Sequence, residues 1–284
     1  ITTDGKHITG TPSPRKKRAS QRSNETQEQD ATQQAKNQPQ TIEIARLRIA
    51  VDQYQTVQQA RMRMWNRRLA LSGVHEVSPD TFEVGMASAE LMKKAEEKYR
   101  TYFGKAILEY PVYVEFLSKV RGIGAVLSAE LIGYIRDIRR FGQVSSLWHY
   151  AGFHVENGQA VKLSKGKEVT WNPALKAICW NVGASFVRSG HWYRLFYDET
   201  KPKEASKHNK MKCPRGKECS EKLHVDNRTR RKVVKMFLSH LWEAWRELEG
   251  LPVTKPYPIA YLGHKDFVSW KDVIKYDSQE PPTE

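Results

Sequence analysis

The stretch Val120-Arg121-Gly122-Ile123-Gly124-Ala125-Val126-Leu127-Ser128-Ala129 constrains the fold more than any other part of the chain. A helical pattern ends just before Gly122 and another begins just after Gly124, so two helices must reverse direction within three residues. Two glycines permit so tight a turn and bring backbone N–H groups close to an anion, because no Cβ stands in the way. Ile123 is expected to anchor the turn in the core, and the small Ala125 and Ala129 to let the helices approach. The arrangement is a helix-hairpin-helix. Lys119 and Arg121 add charge beside it, so Lys119, Arg121, Gly122, Ile123 and Gly124 form a candidate nucleic-acid-binding site that grips the backbone without reading bases. The other reading is a glycine-rich turn between packed helices with no ligand.

Charge favours the first reading. Forty-seven Lys and Arg stand against 32 Asp and Glu, a formal net charge of +15 over 284 residues. Such an excess points to a polyanionic partner, either nucleic acid or an anionic membrane surface. No run approaches the ~18 apolar residues of a spanning helix, and the start of the chain has no apolar signal-peptide core. An integral membrane protein is therefore not expected. The three cysteines, Cys179, Cys213 and Cys219, are too few for a disulfide scaffold and fit a reducing compartment. The expected location is intracellular, in the cytoplasm or nucleoid of a prokaryote or in a virus-infected cell. The chain begins with Ile1 rather than Met, which leaves room for residues before it.

Patterning divides the chain into five parts and predicts a mostly α fold, a helical bundle preceded by a disordered basic tail. Residues 1–40 carry no aromatic side chain and are rich in Ser, Thr, Gln, Asn and Pro, too polar to offset the entropy of ordering. Within them Pro14-Arg15-Lys16-Lys17-Arg18 reads as a solvated basic run or an import or nucleic-acid patch. Residues 41–115 are a helical region. Leu47, Val51 and Tyr54 recur at helical spacing, Met62, Trp65 and Leu69 resume the pattern, and Arg46, Arg48, Arg61, Arg63, Arg67 and Arg68 line the other face. A second helix is expected from Ser78-Pro79 to about Tyr110. Residues 116–200 form the helix-hairpin-helix domain, with further helices expected at 125–138, about 143–151 and 173–188. Residues 201–226 are a basic insert, and 227–276 a C-terminal helix and extended tail of the same domain. In that helix Val234, Leu238, Leu241, Trp245 and Leu248 share one face. Period-two alternation is scarce; Gly158–Leu163 is the one fair hairpin candidate. Residues 277–284 read as frayed.

The motif continues through Leu131, Ile132, Ile135, Ile138, Phe141 and Leu147 to Tyr150-Ala151-Gly152, then a basic loop and the helix opening Trp171-Asn172-Pro173-Ala174-Leu175-Lys176. This series resembles the C-terminal domain of the bacterial and archaeal insertion-sequence transposases that pair a Holliday-junction-resolvase-like catalytic domain with a helix-hairpin-helix domain. The resemblance covers about 116–200 well and 227–268 more loosely. It implies DNA transposition and recombination, with DNA as partner and a structured guide RNA in some members. In that family an RNase H-like domain supplies an Asp-Glu-Asp-Asp set that holds divalent metal. Residues 1–115 show no strand pattern for it, so magnesium would enter only with a catalytic domain elsewhere. The family's C-terminal domain also offers a nucleophilic serine in a Ser-Gly-Lys stretch; here Ser164-Lys165-Gly166-Lys167 holds roughly that place with Gly and Lys exchanged. Ser164 is thus a candidate catalytic residue by resemblance, and Lys162, Lys165 and Lys167 are candidates for activating it or for binding phosphate. A loop serine among phosphate-gripping lysines is the reading we favour. The alternative for the whole chain is a non-catalytic DNA- or RNA-binding module of a mobile element or phage, and a homo-oligomer is left open.

The basic insert adds a separate signal. Residues 201–232 hold twelve Lys and Arg against four Asp and Glu, which makes them the best candidate for a salt-sensitive nucleic-acid contact. Within them His208, Cys213, Cys219 and His224 offer two imidazoles and two thiolates, a donor set that suits tetrahedral zinc. Against a zinc site stands a mobile basic loop with incidental cysteines. Cys179 sits in an apolar run and is expected to be a buried thiol. Trp192, Tyr193, Phe196 and Tyr197 read as core packing before base stacking, and His149 and His154 as structural residues.

Overall fold

In the computed structural model the residues described are 43–67, 70, 79–208, 221–254 and 268–279. The chain divides into residues 1–45 and 46–284, and the elements below belong to the second unit from residue 46 on. The expected disordered tail over 1–40, the cysteine pair Cys213 and Cys219, and residues 255–267 and 280–284 lie outside the described residues.

The chain is mostly α. Helix α1 covers residues 43–67. It is followed by α2 (Pro79–Ala106), α3 (Pro111–Glu115), α4 (Ala125–Ile135), α5 (Val144–Tyr150), α6 (Pro173–Ser189), α7 (Trp192–Lys207), α8 (Glu221–Leu248) and α9 (Trp270–Asp277). Short 3-10 turns at Ile107–Glu109, Leu117–Lys119 and Ile138–Arg140 link them. Local chemistry sets several ends. Asn172 caps α6 by accepting the Leu175 N–H, with Pro173 at the first position where its missing N–H costs nothing. Ser269 and Asp272 close a reciprocal capping box at the start of α9. One two-stranded hairpin, β1 (Val155–Glu156) and β2 (Gln159–Ala160), is present among the described residues, with Val155 opposite Ala160. Asn157 and Gly158 turn it with φ of 50° and 75°, the left-handed pair that a two-residue hairpin needs.

Helix α8 is the spine. Val233, Val234, Phe237, Leu238, Leu241, Trp242 and Trp245 are all buried, and the helix packs against α3, α5, α6, α7 and α9. The expected one-face stripe is therefore the core, although Leu248 at its end is 37% exposed. Phe237 sits at the centre of an aromatic cluster, 5.2 Å from Phe186 and 6.1 Å from Phe116, while Phe186 stacks on Tyr193 at 4.2 Å. Each such fully buried side chain contributes about 1.5–3 kcal/mol over its exposed state. Cys179 is fully buried, and burial pushes its thiol well up from the usual range.

Two expectations change. Residues 192–207 form a full helix that sequence reading leaves unassigned, because Pro202 lies inside it and its lysines hide the apolar face. Residues 201–207 of the predicted insert thus end α7, and 221–226 begin α8. In α1, Leu47, Val51 and Tyr54 are buried as expected, but Met62 and Trp65 are 45% and 42% exposed. The arginine face of α1 is partly internal. Arg48 donates to Asp52 and lies 3.4 Å above the Tyr134 ring, and Arg61 pairs with the buried Glu96 of α2.

Candidate nucleic-acid interface

Helix α6 organises the candidate site, because the two groups of predicted residues lie at its two ends. At its C-terminal end stands the Gly122–Gly124 turn. Gly122 adopts φ +93°, and a Cβ there would lie 2.7 Å from Ser189 Oγ, so only glycine lets the turn nestle against α6. Ser185 Oγ donates to the Gly122 carbonyl at 2.6 Å, and Ile123 is buried as its anchoring role demands. From the other side Asp277 of α9 accepts the Arg121 N–H at 3.3 Å. The turn is therefore held on two faces.

Its third face is open. Gly124 is the N-cap residue of α4, extended at φ −98°, with no side-chain cap and nothing within 4 Å of where a Cβ would stand. The first N–H groups of a helix have no partner within it, and with the helix dipole they make a ready anion site. The two glycines consequently do different work: Gly122 is required by packing, and Gly124 leaves the helix end bare. Charge beside the turn is modest. Arg121 is exposed, while Lys119 pairs with Glu115 at 2.8 Å, a surface pair worth little in stability.

At the N-terminal end of α6 lies the lysine loop. Lys162, Ser164, Lys165 and Lys167 are all exposed. The Lys167 N–H donates to the Ser164 carbonyl at 3.2 Å, closing a turn at Gly166 with φ +77°. Ser164 and Lys167 line a cleft of ≈ 530 Å³ with Lys162, Glu156, Glu168 and Trp171. The Ser164 hydroxyl makes no hydrogen bond among the described residues, so no base is positioned on it there. The loop is tied to the bundle by Lys176 on α6, whose Nζ donates to the Val161 carbonyl at 2.7 Å and sits 4.3 Å from the Trp171 ring centre.

The remaining candidates separate. His149 and His154 stack at 4.0 Å, and His154 Nε2 meets Glu156 at 3.0 Å. Tyr193 and Tyr197 are buried and belong to the core, whereas Trp192 and Phe196 stack on each other at 5.6 Å. Of the predicted metal ligands, His208 and His224 bring their rings within 5.0 Å. Sequence reading has Arg231 only among the basic residues of 201–232 and does not single out Lys235; both stand on α8 by the same corner as Lys176, and only the helix packing brings them there. Among the described residues no helix is long and apolar enough to cross a membrane.

No curated protein matches the chain. The hairpin, α4, α5, the lysine loop, α6 and the first half of α7 are nevertheless one familiar unit: residues 114–198 match the transposase IS116/IS110/IS902 family.

Proposed function

We propose that this chain holds DNA by its backbone, through the N-terminus of α4 at Gly122–Gly124, and serves DNA transposition or recombination. The bare helix end at Gly124 carries this reading, and the family match over 114–198 gives it its biological setting. Arg121, Lys162, Lys165 and Lys167 add electrostatic grip, and Lys119 adds less because Glu115 already neutralises it. Backbone contacts of this kind position a protein on a duplex without choosing a sequence. Ser164 acts in this reading as part of a phosphate-gripping loop. His208, Cys213, Cys219 and His224 hold a structural zinc ion in the same reading. The 5.0 Å ring separation supports it, because two imidazoles bound at ~2.0–2.1 Å to one ion come about that close.

The test is a fluorescence-anisotropy titration of labelled duplex DNA at two salt concentrations, with folded RNA as competitor. Wild-type affinity should fall steeply as salt rises, as phosphate contacts require, and at either salt should drop about tenfold or more in Gly124→Val, whose Cβ stands in open space at the helix end. Equal affinity in a folded Gly124→Val protein would remove the hairpin from the interface. Preferential displacement by folded RNA would move the reading to an RNA-binding module, since A-form RNA is recognised by shape and 2′-hydroxyls.

A further inference from the structure

Lys176, Arg231 and Lys235 converge on the corner where α5, α6 and α8 meet, and each is half-buried. Arg231 donates to the carbonyls of Phe153 and His154. Lys235 Nζ lies 3.9 Å from the Trp148 ring centre, and Lys176 Nζ bonds the Val161 carbonyl. Among the described residues no carboxylate lies within the 4.0 Å of an ion pair from any of the three. Other half-buried cations do have such partners: Arg48 has Asp52, Arg61 has Glu96, and Arg230 has Asp226. Arg246 also lacks one, but it stands alone and is braced by the Phe141 and Pro252 carbonyls. The corner is different because both lysines feel the charge of Arg231. Arg231 and Lys235 are four apart on α8, a like-charge pair that destabilises a helix. Burial and the charge of Arg231 lower the proton affinity of both lysines. Aromatic faces and carbonyls shelter each cation singly and leave their mutual repulsion in place.

We propose that Lys176, Arg231 and Lys235 form a second phosphodiester-binding site, at the opposite end of α6 from the Gly122–Gly124 turn. An anion placed between them relieves the repulsion and supplies the negative charge the corner lacks. The exposed Lys162, Lys165 and Lys167 extend the same positive surface outward. Nine to thirteen residues of α6 separate Lys176 from Ser185 and Ser189, which hold the turn. At 1.5 Å per residue the two sites are offset by roughly 14–20 Å along the axis of α6, and at about 100° per residue Lys176 and Ser185 project from opposite sides of it. The proposal rests on the DNA-backbone reading for its ligand, while the chemistry it names, a phosphate oxyanion, is shared with free phosphates.

The test measures how duplex affinity changes with salt in wild type, Lys176→Gln, Lys235→Gln, Lys235→Arg and, as a control on the solvated face of α2, Lys98→Gln. Each site lysine that meets a phosphate should lower the salt slope by about one when neutralised, Lys235→Arg should keep it, and Lys98→Gln should leave it unchanged. If wild type binds DNA and Gly124→Val weakens it, yet both Gln variants keep full slope and affinity, the second site is overturned and the hairpin stands. If wild type binds no DNA, titration calorimetry with inorganic pyrophosphate decides. Binding that is lost in the Lys176→Gln Lys235→Gln double variant keeps the site as one for free phosphates and removes the DNA reading, while no heat of binding overturns both.

Discussion

Asp277 Oδ2 on α9 accepts the backbone N–H of Arg121 at 3.3 Å, while its Oδ1 accepts that of Trp192 at 3.1 Å. One carboxylate near the end of the chain therefore clamps the hairpin turn to the start of α7. It is 5% exposed, so its loss leaves both donors poorly solvated. Asp277→Ala should destabilise the protein by about 2 kcal/mol, since an unsatisfied buried donor costs ~1–3 kcal/mol. Asp277→Asn, which retains an acceptor oxygen, should cost less. Urea unfolding midpoints read both; an unchanged midpoint in Asp277→Ala would show the clamp to be dispensable.

Gly122→Ala and Gly124→Ala should separate stability from binding. At Gly122 the left-handed φ and the 2.7 Å approach to Ser189 Oγ both oppose a side chain. Strain of that kind costs about 1–3 kcal/mol before the steric clash is added. At Gly124 the backbone is extended and the space open, so alanine should leave the unfolding midpoint within ~0.5 kcal/mol of wild type. Equal destabilisation by the two substitutions would contradict the division of labour between the glycines.

What the sequence makes legible follows from how local the cause is. The Gly-Ile-Gly turn, the Asn172-Pro173 helix start and the apolar stripe of α8 are written in neighbouring residues, and the structure has them where the spacing predicts. Helix α7 is hidden because Pro202 and its lysines mask a face whose buried members are Tyr193, Tyr197, Thr200 and Glu204. Asp277 reads as part of a frayed end because its partners are Arg121 and Trp192, far away in sequence. The site is split for the same reason. Reading along the chain gives the turn and the lysine loop as separate candidates with no relation in space, whereas folding places them at opposite ends of α6 and brings Arg231 and Lys235 to the latter from α8.

His240 gives the fold an acid limit. Its Nε2 lies 3.0 Å from the Val268 carbonyl, which can only accept, so Nε2 carries the proton and Nδ1 accepts from the Tyr193 hydroxyl at 2.8 Å. Burial lowers its pKa to about 4, with the Val268 carbonyl opposing. The unfolded imidazole gains its proton near pH 6.5, so the unfolded state binds more protons between about 4 and 6.5. Stability is thus intact above about pH 6.5 and falls as the pH drops towards 4, by on the order of 3 kcal/mol. His240→Gln should flatten that slope. Urea midpoints at about pH 7 and pH 4.5 decide; identical acid slopes in the two proteins would place the loss elsewhere.

Glu243 sets an opposing trend on the same helix. Burial first and Glu247 second raise its pKa to about 7, while the Trp270 backbone and Lys271 act the other way. The unfolded carboxyl ionises near pH 4.3, so the native state binds the extra proton between there and about pH 7. Its contribution is present at acid pH and lost as the pH rises through 7. Removing the titratable proton with Glu243→Gln should therefore raise the melting temperature by about 2–4 °C at pH 8 and have little effect at pH 5. A gain of equal size at both pH values would mean that the substitution acts through packing on Trp270 and not through ionisation.

The zinc proposal makes a demand that binding assays cannot meet by accident. His208 ends α7 and His224 lies in the first turns of α8, so an ion held by both would staple the two helices across the intervening segment. Protein purified without chelator should carry one zinc per chain by elemental analysis. Cys213→Ser with Cys219→Ser should release it and lower the melting temperature, because metal-binding energy becomes folding energy when the unfolded chain offers no formed site. The decisive comparison is His224→Ala. If zinc is ligated, this variant loses metal as the cysteine pair does, and chelator then shifts wild type but neither variant. If chelator leaves the wild-type melting temperature where it was and the preparation holds no zinc, the His208–His224 contact is an edge-to-face packing of two imidazoles, and the charge of the 201–232 region acts on DNA without a metal.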